Sequence, residues 1–187
     1  IATYHSLKTP TLLLLEKLYQ YVLSSSPGEL NASKLATTLN KDYTQITEYL
    51  TILEEGGLIR YLFPDKSGKA LLRHPAKIYP DNSNMLYANL LPPATDSMLG
   101  KMRELFVVQH LQNAGVDIRY SSQGDFKVGD VFFEVGGKNK TAKQLQGLNQ
   151  GYLLLDGIVS AQDNRIPLYL FGFIEDSRLQ LEHDSII

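Results

Sequence analysis

Asp125 and Glu134 lie in the stretch Gly124 to Lys140, in two short apolar runs separated by Gly129-Asp130. A Gly-Asp pair between two such runs reads as a tight hairpin turn, so the runs should be antiparallel neighbours. Pairing outward from that turn sets Asp125 close to Glu134, on one face of the ladder. Two carboxylates placed together offer hard oxygen ligands to Mg²⁺. A lysine beside them would put positive charge near an attacking water. Lys138 is a candidate: if the strand runs on through Gly136-Gly137, alternation brings Lys138 to the face of Glu134. Glycines weaken such a continuation. Lys138 reads equally as an ion-pair partner of Glu134 or as a solvated turn residue.

Other chemistries are excluded by residue type or spacing. Gly136-Gly137-Lys138 is not a nucleotide loop, because Asn139 follows where Ser or Thr is needed and Phe132 stands at the upstream Gly position. There is no cysteine, hence no disulfide and no thiolate metal site. His5, His74, His110 and His183 are scattered, without the spacing of a histidine metal site. Net charge is −2, so there is no global attraction to phosphate and any nucleic-acid contact must come from a local patch.

The elements that position these residues follow from periodicity. Thr9 caps a helix that starts at Pro10, with Leu13, Leu14, Leu18, Tyr21 and Val22 apolar. Asn31 caps a short helix to Leu39, and Asp42 caps a third to Glu55, ended by Gly56-Gly57. Strands follow at Leu58 to Phe63 and Lys77 to Tyr79, around a turn at Pro64 to Gly68. A short helix from Asn84 precedes Pro92-Pro93. A long one, capped by Thr95 and running from Asp96 to Gln112, carries Glu104. Strands are expected at 117–121, 125–128, 131–135, 152–156 and 168–173, and a helix at 141–148.

The order helix, helix, helix, strand, turn, strand is that of a winged helix-turn-helix, and the first half resembles many bacterial winged-helix proteins. Its third helix is acidic, with Asp42, Glu48, Glu54 and Glu55 and no Lys or Arg inside, which suits base reading poorly. The cations that would touch DNA, namely Arg60, Lys66, Lys69 and Arg73, sit in the expected wing.

The second half, around Gly124-Asp125-Phe126 and Phe133-Glu134-Val135-Gly136-Gly137-Lys138, resembles the core of PD-(D/E)xK nucleases. That resemblance implies Asp125 and Glu134 as Mg²⁺ ligands and Glu104 as a third acidic group. It also implies a lysine two residues after the second acid. Gly136 occupies that place, so Lys138 is the substitute and the pocket is expected to bind rather than to cut. The expected fold class is an α+β chain of two modules, a winged helix over residues 1–83 and a restriction-endonuclease-like α/β sandwich over 84–187.

Taken with Lys77-Ile78-Tyr79-Pro80-Asp81 and Ile166-Pro167-Leu168-Tyr169-Leu170-Phe171-Gly172-Phe173, the whole chain resembles the region that follows the ATPase domain in a family of bacterial and archaeal AAA-type ATPases. The resemblance implies that this is the C-terminal part of a longer cytoplasmic protein. ATP and Mg²⁺ would then bind in an upstream ATPase domain, and this part would have no cofactor of its own. It would serve as a partner-binding accessory, its partner a protein or DNA and not a membrane. A divergent Mg²⁺-dependent nuclease using Asp125, Glu134 and Lys138 is the alternative, and a DNA-binding regulator is a third.

Overall fold

The computed structural model describes residues 7–25, 32–65, 75–89 and 95–174. The chain has a mixed α/β architecture and divides into two compact units. The first comprises Ile1–Leu62 with His74–Ala94, the second Phe63–Arg73 with Thr95–Ile187. Among the described residues no helix is long and apolar enough to cross a membrane.

The first unit holds α1 (Thr9–Ser24), α2 (Ala32–Leu39) and α3 (Tyr43–Glu55). β1 (Ile59–Leu62) and β2 (Lys77–Pro80) pair antiparallel, and α4 (Ser83–Asn89) follows. Lys8, not Thr9, occupies the N-cap of α1, and Thr9 is already helical. The buried stripe of α1 is Leu15, Leu18, Val22 and Leu23, whereas Leu13 is exposed. Asp42 takes the N-cap of α3 but makes no side-chain cap hydrogen bond. Leu15, Leu18 and Val22 of that stripe meet Leu35, Ile46, Leu50, Leu53, Ile59 and Ile78 in one core. Burying each such aliphatic side chain contributes roughly 2 kcal/mol. The sequence reading assigns α4 to the second module. It belongs to the first unit, where Leu86 is fully buried and the Tyr19 hydroxyl donates to Met85 Sδ at 2.9 Å.

The second unit is built on α5 (Asp96–Asn113), capped by the Thr95 hydroxyl accepting from Met98 N–H. A five-stranded sheet follows in the order β3 (Ile118–Tyr120), β4 (Phe126–Val128), β5 (Val131–Gly137), β6 (Gly151–Asp156) and β7 (Arg165–Pro167). The first three strands are antiparallel neighbours, while β5, β6 and β7 run parallel. Two expectations fail here. The segment expected as a helix over 141–148 contains only a 3-10 turn, Lys143–Leu145. Leu145 plugs the hydrophobic cluster of Leu153, Leu155 and Phe132, so tertiary packing, not helical periodicity, fixes the segment. The apolar run expected as a strand over 168–173 is a 3-10 helix, Leu168–Phe173, and the strand β7 lies just before it.

Leu105 is fully buried on α5, the helix packed against β5. Replacing it with Ala should cost about 3 kcal/mol through the cavity left behind. Thermal or urea unfolding of the purified chain checks this, and a loss under about 1 kcal/mol would mean that the helix is not anchored there.

Candidate metal centre

The hairpin forms as its turn residues dictate. Val128 pairs with Val131 across Gly129-Asp130, and Phe126 pairs with Phe133. Continued one step, that register would set Asp125 opposite Glu134. The ladder breaks step instead. Asp125 N–H donates to Phe133 O at 2.8 Å, one residue out of register, and the Asp125 carboxylate accepts from Val135 N–H at 2.8 Å. A break of this kind re-aims a side chain at a strand end. Gly124 makes it possible. Its φ is +82°, and a Cβ there would lie 2.6 Å from Phe133 O, so no other residue fits without a shift. Asp125 is thus held beside β5 by its own backbone and by its carboxylate.

Glu134 is fully buried, with 0% of its surface exposed. Strand alternation places Phe132, Glu134 and Gly136 on one face of β5. On that face Lys140 Nζ stands 2.5 Å from Glu134 Oε1. The contact is an ion pair. It serves Oε1 alone, and Oε2 of Glu134 has no partner in hydrogen-bond geometry. Burial of an unsatisfied carboxylate is costly, and each such group calls for an explanation.

The ammonium beside Glu134 is therefore that of Lys140, where the sequence reading expected Lys138. The chain turns back after β5, Lys140 N–H donating to Gly137 O at 2.9 Å. The aliphatic part of Lys140 then runs across Gly136. A Cβ built on Gly136 would lie 2.6, 2.7 and 2.8 Å from Lys140 Cβ, Cγ and Cδ. Position 136 is where the nuclease-like pattern expects a lysine. The absence of a side chain there opens the space through which Lys140 reaches Glu134. Lys138 goes elsewhere: it is exposed, lies near Gly157, and its carbonyl accepts from the Arg165 guanidinium at 2.8 Å.

Electrostatics tie the set together. Burial pushes the Glu134 carboxyl above the usual range, the nearby charges of Asp125 and Glu104 add to that, and Lys140 opposes it. Burial alone would lower the Lys140 ammonium, but Glu134, Asp125 and Glu104 outweigh it and hold the group above its ordinary value. Both partners thus favour the protonated form, Glu134 chiefly through burial and Lys140 through the carboxylates around it. Glu104, the third acid named from sequence, is thus brought within electrostatic reach from α5. Lys101, one turn earlier on α5, is buried to 2% exposure and partnered, and nothing in its sequence context marks it.

A divalent cation fits the donor set in chemistry, since Glu134 Oε2 is buried without a hydrogen bond and the charge of Asp125 acts on the same carboxyl. Among the described residues no three side chains of His, Cys, Asp or Glu converge as a metal cage. A two-carboxylate site is the kind that Mg²⁺ occupies together with water and phosphate oxygens.

The nucleic-acid candidates fare differently. Arg60 is committed within its own unit, donating to Asp81 O at 2.6 Å and pairing with Asp81 Oδ1 at 2.7 Å, which ties β1 to the end of β2. It is a clamp and not a free phosphate contact. Lys66, Lys69 and Arg73 lie outside the described residues. Sequence reasoning missed Lys140 and Arg103; the signal for Lys140 was the glycine pair followed by Lys138-Asn139-Lys140, which offers two lysines rather than one. No protein-family model, no curated protein and no solved structure matches the chain.

Because the Glu134 carboxyl is raised in the folded chain, its favourable contribution is present below the ordinary Glu range and is lost as pH rises through the folded value. Glu134→Gln, which mimics the protonated form, should therefore raise stability at pH 7 by about 1 kcal/mol, with the gain vanishing in acid. Lys140→Ala should lower it by about 2 kcal/mol, less than the full cost of breaking a buried pair because water screens the partly exposed lysine. Thermal melts between pH 4 and 8 read both. A Glu134→Gln chain less stable than the native one at pH 7 would contradict this electrostatic balance.

Proposed function

We propose that the second unit carries a divalent-metal-assisted site for phosphodiester hydrolysis, with Asp125 and Glu134 as metal ligands and Lys140 as the positioned cation. The observation that carries this reading is the buried Glu134 carboxylate facing an ammonium delivered across Gly136. The missing lysine at position 136 was the objection to catalysis, and Lys140 removes it. A bound divalent cation would polarise a phosphoryl oxygen and lower the pKa of its water. The residues of the chain do the rest. Asp125 is fixed by the Val135 N–H, so one carboxylate is preorganised. Lys140 holds positive charge at the locus where negative charge develops on the phosphorus oxygens. Glu104 adds negative potential that favours a cation.

The wider reading follows the resemblance. The first unit would be a winged helix, the second a PD-(D/E)xK-like sandwich, and the whole an accessory region of a bacterial AAA-type ATPase working in the cytoplasm. Its three helices and two-stranded sheet, in that order, support the first assignment. The acidic exposed face of α3, with Glu48, Glu54 and Glu55, and the commitment of Arg60 argue against DNA reading by that unit.

A second reading, a partner-binding module without catalysis, is favoured by the full burial of Glu134 beneath Lys140. Incubation of the full chain with plasmid and single-stranded DNA in Mg²⁺ or Mn²⁺ separates the two. The hydrolytic reading expects cleavage that Asp125→Asn and Glu134→Gln abolish, and that Lys140→Ala slows by about 100-fold or more. Absence of metal-dependent cleavage, or cleavage that survives Glu134→Gln, would leave the binding module as the better account. Neither reading places nucleotide in this chain, so calorimetry should find no stoichiometric ATP binding.

A further inference from the structure

Beyond the carboxylate pair lies an open groove of about 530 Å³, lined by Arg103, Gly137, Lys138, Asn139, Lys140, Asp156 and Gly157. It sits past the carboxyl ends of the parallel neighbours β5 and β6, which end at Gly137 and Asp156. The crevice outside the carboxyl ends of parallel strands is where α/β sheets bind ligands. Three of its side chains are cationic and one is acidic. Asp156 accepts from Arg103 Nε at 3.0 Å, which fixes the guanidinium without neutralising the other two cations. The guanidinium lies against the strand end at Gly137, where a Cβ would make ordinary contact with Arg103 Cζ and both terminal nitrogens at 3.7 Å. Arg165 pins the loop from below through the Lys138 carbonyl. Lys138 and Asn139 are exposed. Among the described residues Lys138 has no ion-pair partner.

We propose that this groove binds a phosphate of a nucleic-acid backbone beside the Asp125–Glu134 pair, with Arg103, Lys138, Asn139 and Lys140 as its contacts. A planar, fixed guanidinium, two ammonium groups and an amide donor are the groups that hold phosphate oxygens. The groove is open and bordered by exposed residues, which suits a passing strand better than an enclosed small anion. Lys140 belongs to both places. Its ammonium rests on Glu134, and its side chain borders the groove. A phosphate arriving in the groove competes for that ammonium and so exposes the Glu134 carboxylate.

The proposal rests on the phosphodiester reading above for its substrate class, but it is tested without metal. Fluorescence anisotropy of a labelled single-stranded oligonucleotide, with the full chain in EDTA, should show binding that weakens with salt. Lys138→Gln, an exposed substitution with no structural partner to lose, should weaken it about fivefold at 50 mM salt and lower the salt slope by about 0.7, the value of one phosphate contact on a single strand. Arg103→Gln should weaken it further, with a circular dichroism melt confirming that the unit remains folded. Oligonucleotide binding indifferent to Lys138→Gln overturns the proposal, because the contact then lies elsewhere, as does no binding at all. Inorganic phosphate binding, measured by calorimetry, in a chain that does not bind the oligonucleotide overturns it in favour of a small-anion site. Mn²⁺ binding, followed separately by electron paramagnetic resonance with Asp125→Asn as control, reports on the metal reading alone. Oligonucleotide binding without Mn²⁺ binding leaves the groove standing and sinks the metal centre.

Discussion

A buried carboxylate must be neutralised, and the second unit is arranged around how that is done. Glu134 sits on β5, between β4 and β6, with none of its surface in water. An isolated charge there would cost several kcal/mol. Lys140 meets it at one oxygen, Oε1, and leaves Oε2 without a hydrogen bond. Asp125 and Glu104 make matters worse for the acid by adding negative potential. A region built for stability alone would have placed an apolar residue at 134.

The rest of the unit serves that arrangement. Gly124 lets the backbone approach Phe133 and swings Asp125 into place. Gly136 gives up its side-chain volume to Lys140. Leu145 pins the following segment onto Leu153 and Leu155, so the loop that carries Lys140 is anchored just beyond it. α5 contributes from a separate element, with Glu104 acting on the acids and Arg103 on the groove. The polar part of the second unit is thus held both by backbone hydrogen bonds, as at Asp125, and by side-chain pairs, as at Glu134–Lys140 and Arg103–Asp156.

Much of this was legible in the sequence, and the misses have physical causes. The Gly129-Asp130 turn gave the hairpin, and the hairpin gave the neighbourhood of Asp125 and Glu134, because a two-residue turn fixes register. The one-residue slip at Asp125 was not visible, since it depends on Gly124 adopting a positive φ that glycine merely permits. Lys138 was preferred to Lys140 because strand alternation was extended past the point where the strand ends, at Gly137. A turn back across a glycine brings a residue four positions beyond Gly136 into its place, and no linear pattern reports that. The helix expected at 141–148 failed because Leu145 and Leu148 pack against a neighbouring hydrophobic cluster, and packing outweighs propensity in so short a segment. The same reasoning read the Leu168 to Phe173 run as a strand, since a short apolar stretch does not distinguish a strand from a helical turn.

The claim on which everything turns is that Lys140 occupies the place of a lysine at position 136. Transplantation tests it directly. In the Lys140→Gly chain, which removes every Lys140 atom that a Cβ at 136 would meet, adding Gly136→Lys returns an ammonium to the same face two residues after Glu134. Metal-dependent cleavage of single-stranded DNA is measured for the native chain, the single Lys140→Gly variant and the double variant. The account predicts cleavage by the native chain, loss in the single variant, and recovery in the double variant to within about tenfold of the native rate. No cleavage by the native chain, full activity without Lys140, or a double variant as inactive as the single one would contradict it.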